Sequence, residues 1–309
     1  MLLHLETPLL ESRPLALAAG RPVFLKMEAL QPAGSFKIRG VGAACEHHAA
    51  NGKRRFISSS GGNAGIAVAY AGRRLSIPVT VFVPETTTEQ AKSLIRQEGA
   101  EVVVHGASWQ EANERALEAV DRDSAFIHPF DDPITWTGHA TMIDEVVKAG
   151  TFFDAVVLSV GGGGLLCGVA EGLARNGLHD VPIIAVETDG TASLAASLAA
   201  GQLVELPAIT SIATSLGARK VSDRAFQISK TRPVESVVVD DRSAVEACLR
   251  FMDDHRIVVE PACGAALAIA YSHPDRLARY ERVLVIVCGG ATTSVEKLMS
   301  FGGMPSRKS

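Results

Sequence analysis

The chain has 309 residues, 47% hydrophobic and 21% charged, a balance that supports a well-buried globular core and a length that suits two domains. Its formal charge of −4 leaves no basic surplus for phosphate backbones, and no Lys/Arg-rich run carries interleaved aromatics, so no nucleic-acid partner is expected. No run of about 18 apolar residues occurs, and the opening Met1-Leu2-Leu3-His4-Leu5-Glu6 lacks a basic or long apolar leader, so a cytoplasmic protein with no membrane partner is expected. The five cysteines (Cys45, Cys167, Cys248, Cys263, Cys288) are odd in number and lack Cys-x-x-Cys spacing, which points to buried free thiols rather than disulfides or a zinc site. His47 and His48 are adjacent on an expected helix and diverge by about 100°, so they read as solvent-facing side chains rather than a zinc pair.

In chain order, apolar β-branched runs alternate with helical patterns. Strands are expected at 55–58, 79–83 and 101–104, separated by helices at 63–75, 88–98 and 109–121. Beyond these, strands at 155–160, 183–187 and 282–287 accompany helices at 165–176, 241–256 and 261–272. This is an α/β pattern with mainly parallel sheets, and every strand-to-helix junction is rich in Gly or Ser, where such sheets bind ligands. Phe130-Asp131-Asp132-Pro133 interrupts the pattern. The expected division is therefore a small domain, 35–133, inserted into a large one, 1–34 and 134–309, with a frayed tail from Gly302 to Ser309.

Four junctions carry candidate chemistry. In Gly34-Ser35-Phe36-Lys37-Ile38-Arg39-Gly40 a lysine opens an expected helix after a glycine turn. Burial and the positive helix end both disfavour an ammonium there, leaving an amine able to attack a carbonyl carbon. Spacing by itself favours the plainer alternative, an exposed lysine. In Ser58-Ser59-Ser60-Gly61-Gly62-Asn63-Ala64-Gly65, consecutive amides and hydroxyls form a pocket for a carboxylate or phosphate, and Asn63 offers an amide to a ligand oxygen. An ordinary N-capped helix reads equally well. Gly161-Gly162-Gly163-Gly164 costs chain entropy that close approach of backbone amides to a phosphate explains. A dinucleotide site is the rival there, with Glu187 placed like a ribose-binding acid, but no register of 161–168 fits G-x-G-x-x-G. The last strand runs into Cys288-Gly289-Gly290-Ala291-Thr292-Thr293-Ser294, where the thiol either faces a ligand or fills a gap. Alone, it reads better as filler.

Together and in this order, the four segments resemble the short-form serine/threonine dehydratases of the fold-type-II pyridoxal-phosphate family, a tryptophan synthase beta-like group. The resemblance spans nearly the whole chain. It takes in Pro129-Phe130-Asp131-Asp132-Pro133, the run from Ser159 through Gly168, Val259-Glu260-Pro261-Ala262-Cys263-Gly264-Ala265-Ala266-Leu267, and Val287-Cys288-Gly289-Gly290. It implies a two-domain fold, each domain an open, mainly parallel twisted sheet flanked by helices. It also implies that Lys37 holds pyridoxal 5′-phosphate as a Schiff base and that Phe36 stacks on the cofactor ring. Ser60, Gly61 and Asn63 would hold the substrate carboxylate, with Asn63 also at the cofactor's 3-hydroxyl. Gly161, Gly162, Gly163, Gly164 and Leu165 would cup the phosphate, and Cys288 would face the pyridine nitrogen. A monovalent cation, potassium by the hardness of its donors, would take the Glu187 and Ser193 side chains and carbonyls of Gly161, Thr191, Leu216 and Ala218. For Glu187, a capping or surface carboxylate is the alternative.

The implied reaction is α,β-elimination on L-serine or L-threonine, giving ammonia with pyruvate or 2-oxobutanoate, with the freed Lys37 amine removing the Cα proton. A neutral thiol at 288, ordinarily of pKa about 8.5, does not hold a pyridinium as a carboxylate would, which favours prompt elimination over transamination. Serine racemase is one alternative, disfavoured because racemases of this fold carry a proton-donating serine where this chain has Gly61. The same glycine leaves the serine/threonine preference open. A catalytically inactive sensor that binds the cofactor is the other, disfavoured by retention of Lys37, both cups and Cys288. Little chain follows Ser294, so a catabolic enzyme without an isoleucine-sensing domain is expected, paired as a homodimer by the usual two-fold default.

Overall fold

In the computed structural model, residues 2–302 are described. The chain begins with β1 (Leu9–Glu11), α1 (Arg13–Ala19) and β2 (Val23–Lys26), then leaves this sheet through α2 (Lys37–Ala50). A second sheet is built by β3 (Arg55–Ser58), α3 (Asn63–Leu75), β4 (Val79–Val83), α4 (Glu89–Gln97), β5 (Glu101–Val104), α5 (Trp109–Glu118) and β6 (Ser124–Phe126). The chain returns through α6 (Pro133–Lys148) to β7 (Ala155–Ser159), α7 (Gly164–Arg175), β8 (Ile183–Thr188), α8 (Ser193–Ala200), α9 (Asp223–Thr231) and β9 (Val234–Val239). It finishes with α10 (Asp241–His255), α11 (Pro261–Ser272), β10 (Val283–Ile286) and α12 (Val295–Gly302). Gly302 thus closes a helix, while the rest of the expected tail, 303–309, lies outside the described residues. No helix among the described residues is long and apolar enough to cross a membrane.

The larger sheet runs β1-β2-β10-β7-β8-β9, parallel except for β1, and the smaller runs β5-β4-β3-β6, parallel throughout. Every residue of β7, β8 and β10 is buried, as parallel strands covered by helices on both faces must be. That is why they read as unbroken apolar runs. One hydrophobic core surrounds the larger sheet, and another gathers Ile38, Val41, Phe56, Val68, Val81 and Ile95 about the smaller. All five cysteines are buried and free. His47 is exposed and His48 half-buried, and among the described residues no cluster of three or more His, Cys, Asp or Glu is placed to hold a metal ion.

Strand order places the ligand crevice. In the larger sheet the chain moves outward from β7 through β8 to β9, then returns to the other side of β7 as β10. In the smaller it moves outward from β3 to β5, then returns beside β3 as β6. Each reversal leaves a gap between diverging loops at the carboxyl ends of its central strands. The loops there are 160–163 after β7, 287–294 after β10, 59–62 after β3 and 127–132 after β6. The break expected at Phe130-Asp131-Asp132-Pro133 is a helix start: Asp132 caps α6 by accepting from Ile134 N at 2.7 Å, and Pro133 occupies its first turn.

A buried charge network anchors α2. Arg39, wholly buried, donates through Nε and Nη2 to Glu28 at 2.6 and 2.8 Å, and through Nη1 and Nη2 to Glu145 at 2.6 and 2.7 Å. Lys26 of β2 also reaches Glu145, and Thr7 Oγ1 donates to Glu28 at 2.6 Å. Two cations balance two carboxylates, so the cost of burying them is offset while all four are present; deleting one strands a charge. Glu28→Gln is expected to lower the unfolding free energy by about 3–5 kcal/mol in urea titration. A loss below about 1 kcal/mol, the scale of an exposed pair, would show that the network does not hold the helix.

Candidate active site

A cavity of about 730 Å³ lies at the meeting of the two sets of strand ends, within the usual range for small-molecule sites. It brings together Phe36, Lys37, Ser60, Gly61, Asn63, Gly161, Gly162, Gly163, Gly164, Leu165 and Cys288, with Leu216 and Ala218 at its wall. Glu187, Thr191 and Ser193 lie outside this lining. A short ladder closes the assembly. Ser35 bridges Gly289, Phe36 N donates to the Cys288 carbonyl at 3.1 Å, and Gly290 N donates to the Gly34 carbonyl at 2.9 Å. Lys37, one residue further on, is thereby set beside the end of β10.

Lys37 Nζ donates to the Pro129 carbonyl at 2.7 Å and stands 5.1 Å from the centre of the Phe36 ring. The side chain keeps some exposure toward the cavity, but its amine is enclosed, and burial brings its pKa down to about 8. Phe36 is backed by the His139 ring at 4.8 Å. Cys288, 7% exposed, is held well above the ordinary thiol pKa by its hydrogen bond with Cys263 and by burial, so it is a neutral group.

The helices differ in how their N-termini are capped. α1, α4, α5, α6, α9 and α10 each begin with a Ser, Thr or Asp side chain accepting from a first-turn amide. α2, α3 and α7, which all begin on the cavity, have no such cap. Their first turns lack a capping side chain and begin at the cavity wall, an arrangement suited to an anion. The glycine loop lets α7 do so: Gly163 has φ +94°, and a Cβ on Gly162 would stand 2.4 Å from the Phe130 ring. These residues fit a phosphate, and Lys37 beside them fits an aldehyde.

α8 is also without a capping side chain at its first residue's N-terminal neighbour; instead Glu187, wholly buried on β8, accepts from Leu194 N and Ala195 N, each at 2.8 Å. Burial pushes its pKa up to about 7. Beside those amides the Ser193 hydroxyl is buried with no hydrogen-bond partner, an orphan that a cation would satisfy. Gly161 meets Leu216 closely enough that a Cβ would lie 2.9 Å from the Leu216 Cα. Thr191 lies in the turn before α8, its hydroxyl paired with Thr188 at 2.8 Å.

Sequence reasoning passed over Glu260. Its place before Pro261 reads as a helix cap, yet its side chain makes no capping bond and turns to the cavity, where Oε2 accepts from Asn63 Nδ2 at 3.0 Å. Cys263, buried and free as expected, is hydrogen-bonded to Cys288, a pairing that spacing does not show. The signal for both was the run 259–267 as a whole, not any single spacing.

The low amine pKa carries a sign. The folded chain loses the Lys37 proton near pH 8 and an unfolded lysine near 10.5, so folding disfavours the ammonium, and ligand-free stability rises as pH goes from about 8 to 10.5. Lys37→Met removes that cost. At pH 7 the variant is expected to be more stable by on the order of 2–3 kcal/mol, after allowing for cavity water, with the gain vanishing above pH 10.5. Denaturant titrations at pH 7 and 10.5 check this, and an equal effect at both would contradict it.

The whole architecture is shared with known proteins. The fold matches a fungal L-serine ammonia-lyase from Rhizomucor miehei with a TM-score of 0.92 and 36% identity, covering 97% of this chain and 98% of that one. The sequence is 50% identical over 308 residues to the serine dehydratase-like protein of Rattus norvegicus, covering 96% of this chain and 94% of the relative. It is 45% identical over 312 residues to the L-serine dehydratase/L-threonine deaminase of Homo sapiens, covering 97% and 94%. The family model described as pyridoxal-phosphate dependent enzyme matches residues 1–289, and the chain belongs to that family.

Proposed function

We propose that the chain is a pyridoxal-phosphate-dependent L-serine/L-threonine ammonia-lyase, releasing pyruvate or 2-oxobutanoate with ammonia. The observation that carries the reading is the enclosed Lys37 amine between two uncapped helix N-termini, one at 161–165 and one at 60–63. Relatives named for this activity, at 45% identity across nearly the whole chain, support it. When bound, pyridoxal phosphate supplies an aldehyde for Lys37 and a ring that takes up the electron pair left when Cα loses its proton.

The chain's own residues do the rest. Amides of 161–165 would hold the phosphate, and Phe36 would pack on the ring. Ser60, Gly61 and Asn63 would fix the substrate carboxylate, which orients the Cα–H bond toward Lys37 Nζ. With a pKa lowered to about 8, that nitrogen can accept a proton near neutral pH and return it, as a general base must. The neutral Cys288 thiol would leave the pyridine nitrogen without a charged partner, which favours elimination over transamination. Glu187 and Ser193, with carbonyls of Gly161, Thr191, Leu216 and Ala218, would hold potassium beneath the phosphate cup, a site the unpartnered Ser193 hydroxyl supports.

Racemisation needs a donor on the opposite cofactor face, and position 61 has no side chain to give. A Cβ on Gly61 would meet Thr87 Oγ1 and Cγ2 at 2.7 Å, so a serine there would require Thr87 to move. The division into domains 1–34 with 134–309 and 35–133, a homodimeric state and a cytoplasmic location belong to the same proposal. Two sheets with separate cores support the first.

Turnover is tested with cofactor-saturated protein by coupling 2-oxo-acid release to its reduction, and by chiral analysis of residual serine. L-Serine and L-threonine are expected to yield oxo acid and ammonia without accumulation of D-serine, and faster in potassium than in lithium. Lys37→Ala should lose at least about 10³-fold of this rate. Absence of oxo acid from both substrates, or a variant that keeps most of its activity, would overturn the assignment.

A further inference from the structure

Asn63 opens α3 beside the smaller sheet, yet its amide is held by segments of the larger one. Nδ2 donates to Glu260 Oε2 at 3.0 Å and to Ser215 Oγ at 3.4 Å, and Oδ1 accepts from Ala291 N at 2.9 Å. Glu260, 3% exposed, gathers more: Oε2 accepts from Ser215 Oγ at 2.5 Å, and Oε1 accepts from Thr292 N at 2.7 Å and Thr292 Oγ1 at 2.6 Å. Among the described residues no cation forms an ion pair with it. One carboxylate thus ties three separate segments to each other, each through neutral donors.

Two further features show that this side chain is reserved for the site. It stands at the first position before α11 and makes no capping bond to that helix. The space it fills is kept open by Gly290, where φ is +132° and a Cβ would lie 2.2 Å from Glu260 Cδ. A carboxylate only accepts, so it fixes the sense of the Asn63 amide: Nδ2 must face Glu260, leaving Oδ1 for the Ala291 N–H. Turning the amide over would set oxygen against oxygen and N–H against N–H.

We propose that Glu260 is the positioning residue of the substrate-carboxylate loop: it sets the sense of Asn63 and clasps the 60–63 loop onto the segments at 215 and 291–292. This rests on the reading of Asn63 as a substrate-side residue. Losing the clasp should weaken substrate capture more than the chemical step, because Lys37 and the phosphate cup are held by other contacts.

Glu260→Gln keeps the size and replaces one acceptor oxygen by a donor, which must oppose Asn63 Nδ2 with Ser215 Oγ or the Thr292 donors. The expected result is a KM for L-serine raised about 10-fold or more, the worth of a hydrogen bond to a charged group, with a smaller change in kcat and unchanged covalent cofactor content. Amide hydrogen exchange at 61–66 in the cofactor-loaded protein should quicken by a similar factor, with β7 and β8 unaffected. In a double-mutant cycle, Glu260→Gln with Asn63→Ala should cost no more in KM than the larger single change. Thr292→Val, which leaves the carboxylate in place, should show the same pattern more weakly if Glu260→Gln folds poorly. A KM within twofold of the parent, multiplicative effects in the cycle, or unchanged exchange at 61–66 would overturn the proposal. Parent protein inactive on serine and threonine would instead overturn the functional reading, and the exchange measurement would still decide the clasp.

Discussion

Three helix N-termini converge on one cavity without side chains to cap them, and this constraint sets the electrostatics of the site. Each open first turn carries unsatisfied N–H groups and the positive end of a helix dipole. α2, α3 and α7 all contribute, whereas α4 and α5, which also begin at the cavity wall, are closed by Thr88 and Ser108. Open first turns of this kind favour anions. They would hold a phosphate at 161–165 and a carboxylate at 60–63, while burial separately lowers the Lys37 pKa to about 8.

The convergence is a product of topology rather than of any local motif. Both sheets reverse their strand order at a central pair, and both reversals open toward the same crevice. The Ser35–Gly289 bridge and its two hydrogen bonds join the loop that delivers Lys37 to the strand end that delivers Cys288. Behind it, Arg39 locks α2 to Glu28 and to Glu145 of α6 two residues beyond the lysine. A shift in any of these would move the amine away from the 161–165 loop.

Much of this was legible in the residues. The central parallel strands announced themselves as apolar runs because they are buried on both faces, and the glycine junctions marked their carboxyl ends. β1 and β6 were passed over because three residues carry too little pattern, and β1 is a largely exposed edge. α6 was hidden by the Asp132-Pro133 pair, which reads as an interruption and is in fact a cap. Lys37 was ambiguous from spacing because what encloses it, the Pro129 carbonyl and the end of β10, lies far along the chain. Glu260 escaped for the same reason: its partners at 63, 215 and 292 are set by the fold, while its neighbours describe an ordinary helix start.

The central claim is that Lys37 is an enclosed amine, its pKa lowered by burial to about 8, that would capture the cofactor. The most direct measurement is the rate at which cofactor-free protein takes up pyridoxal phosphate covalently as a function of pH, trapped by borohydride and mapped by peptide mass. An enclosed amine of pKa about 8 gives a single label on Lys37 and a capture rate that rises through a midpoint near pH 8. Label on other lysines, or a midpoint near the 10.5 of an ordinary lysine, would contradict it.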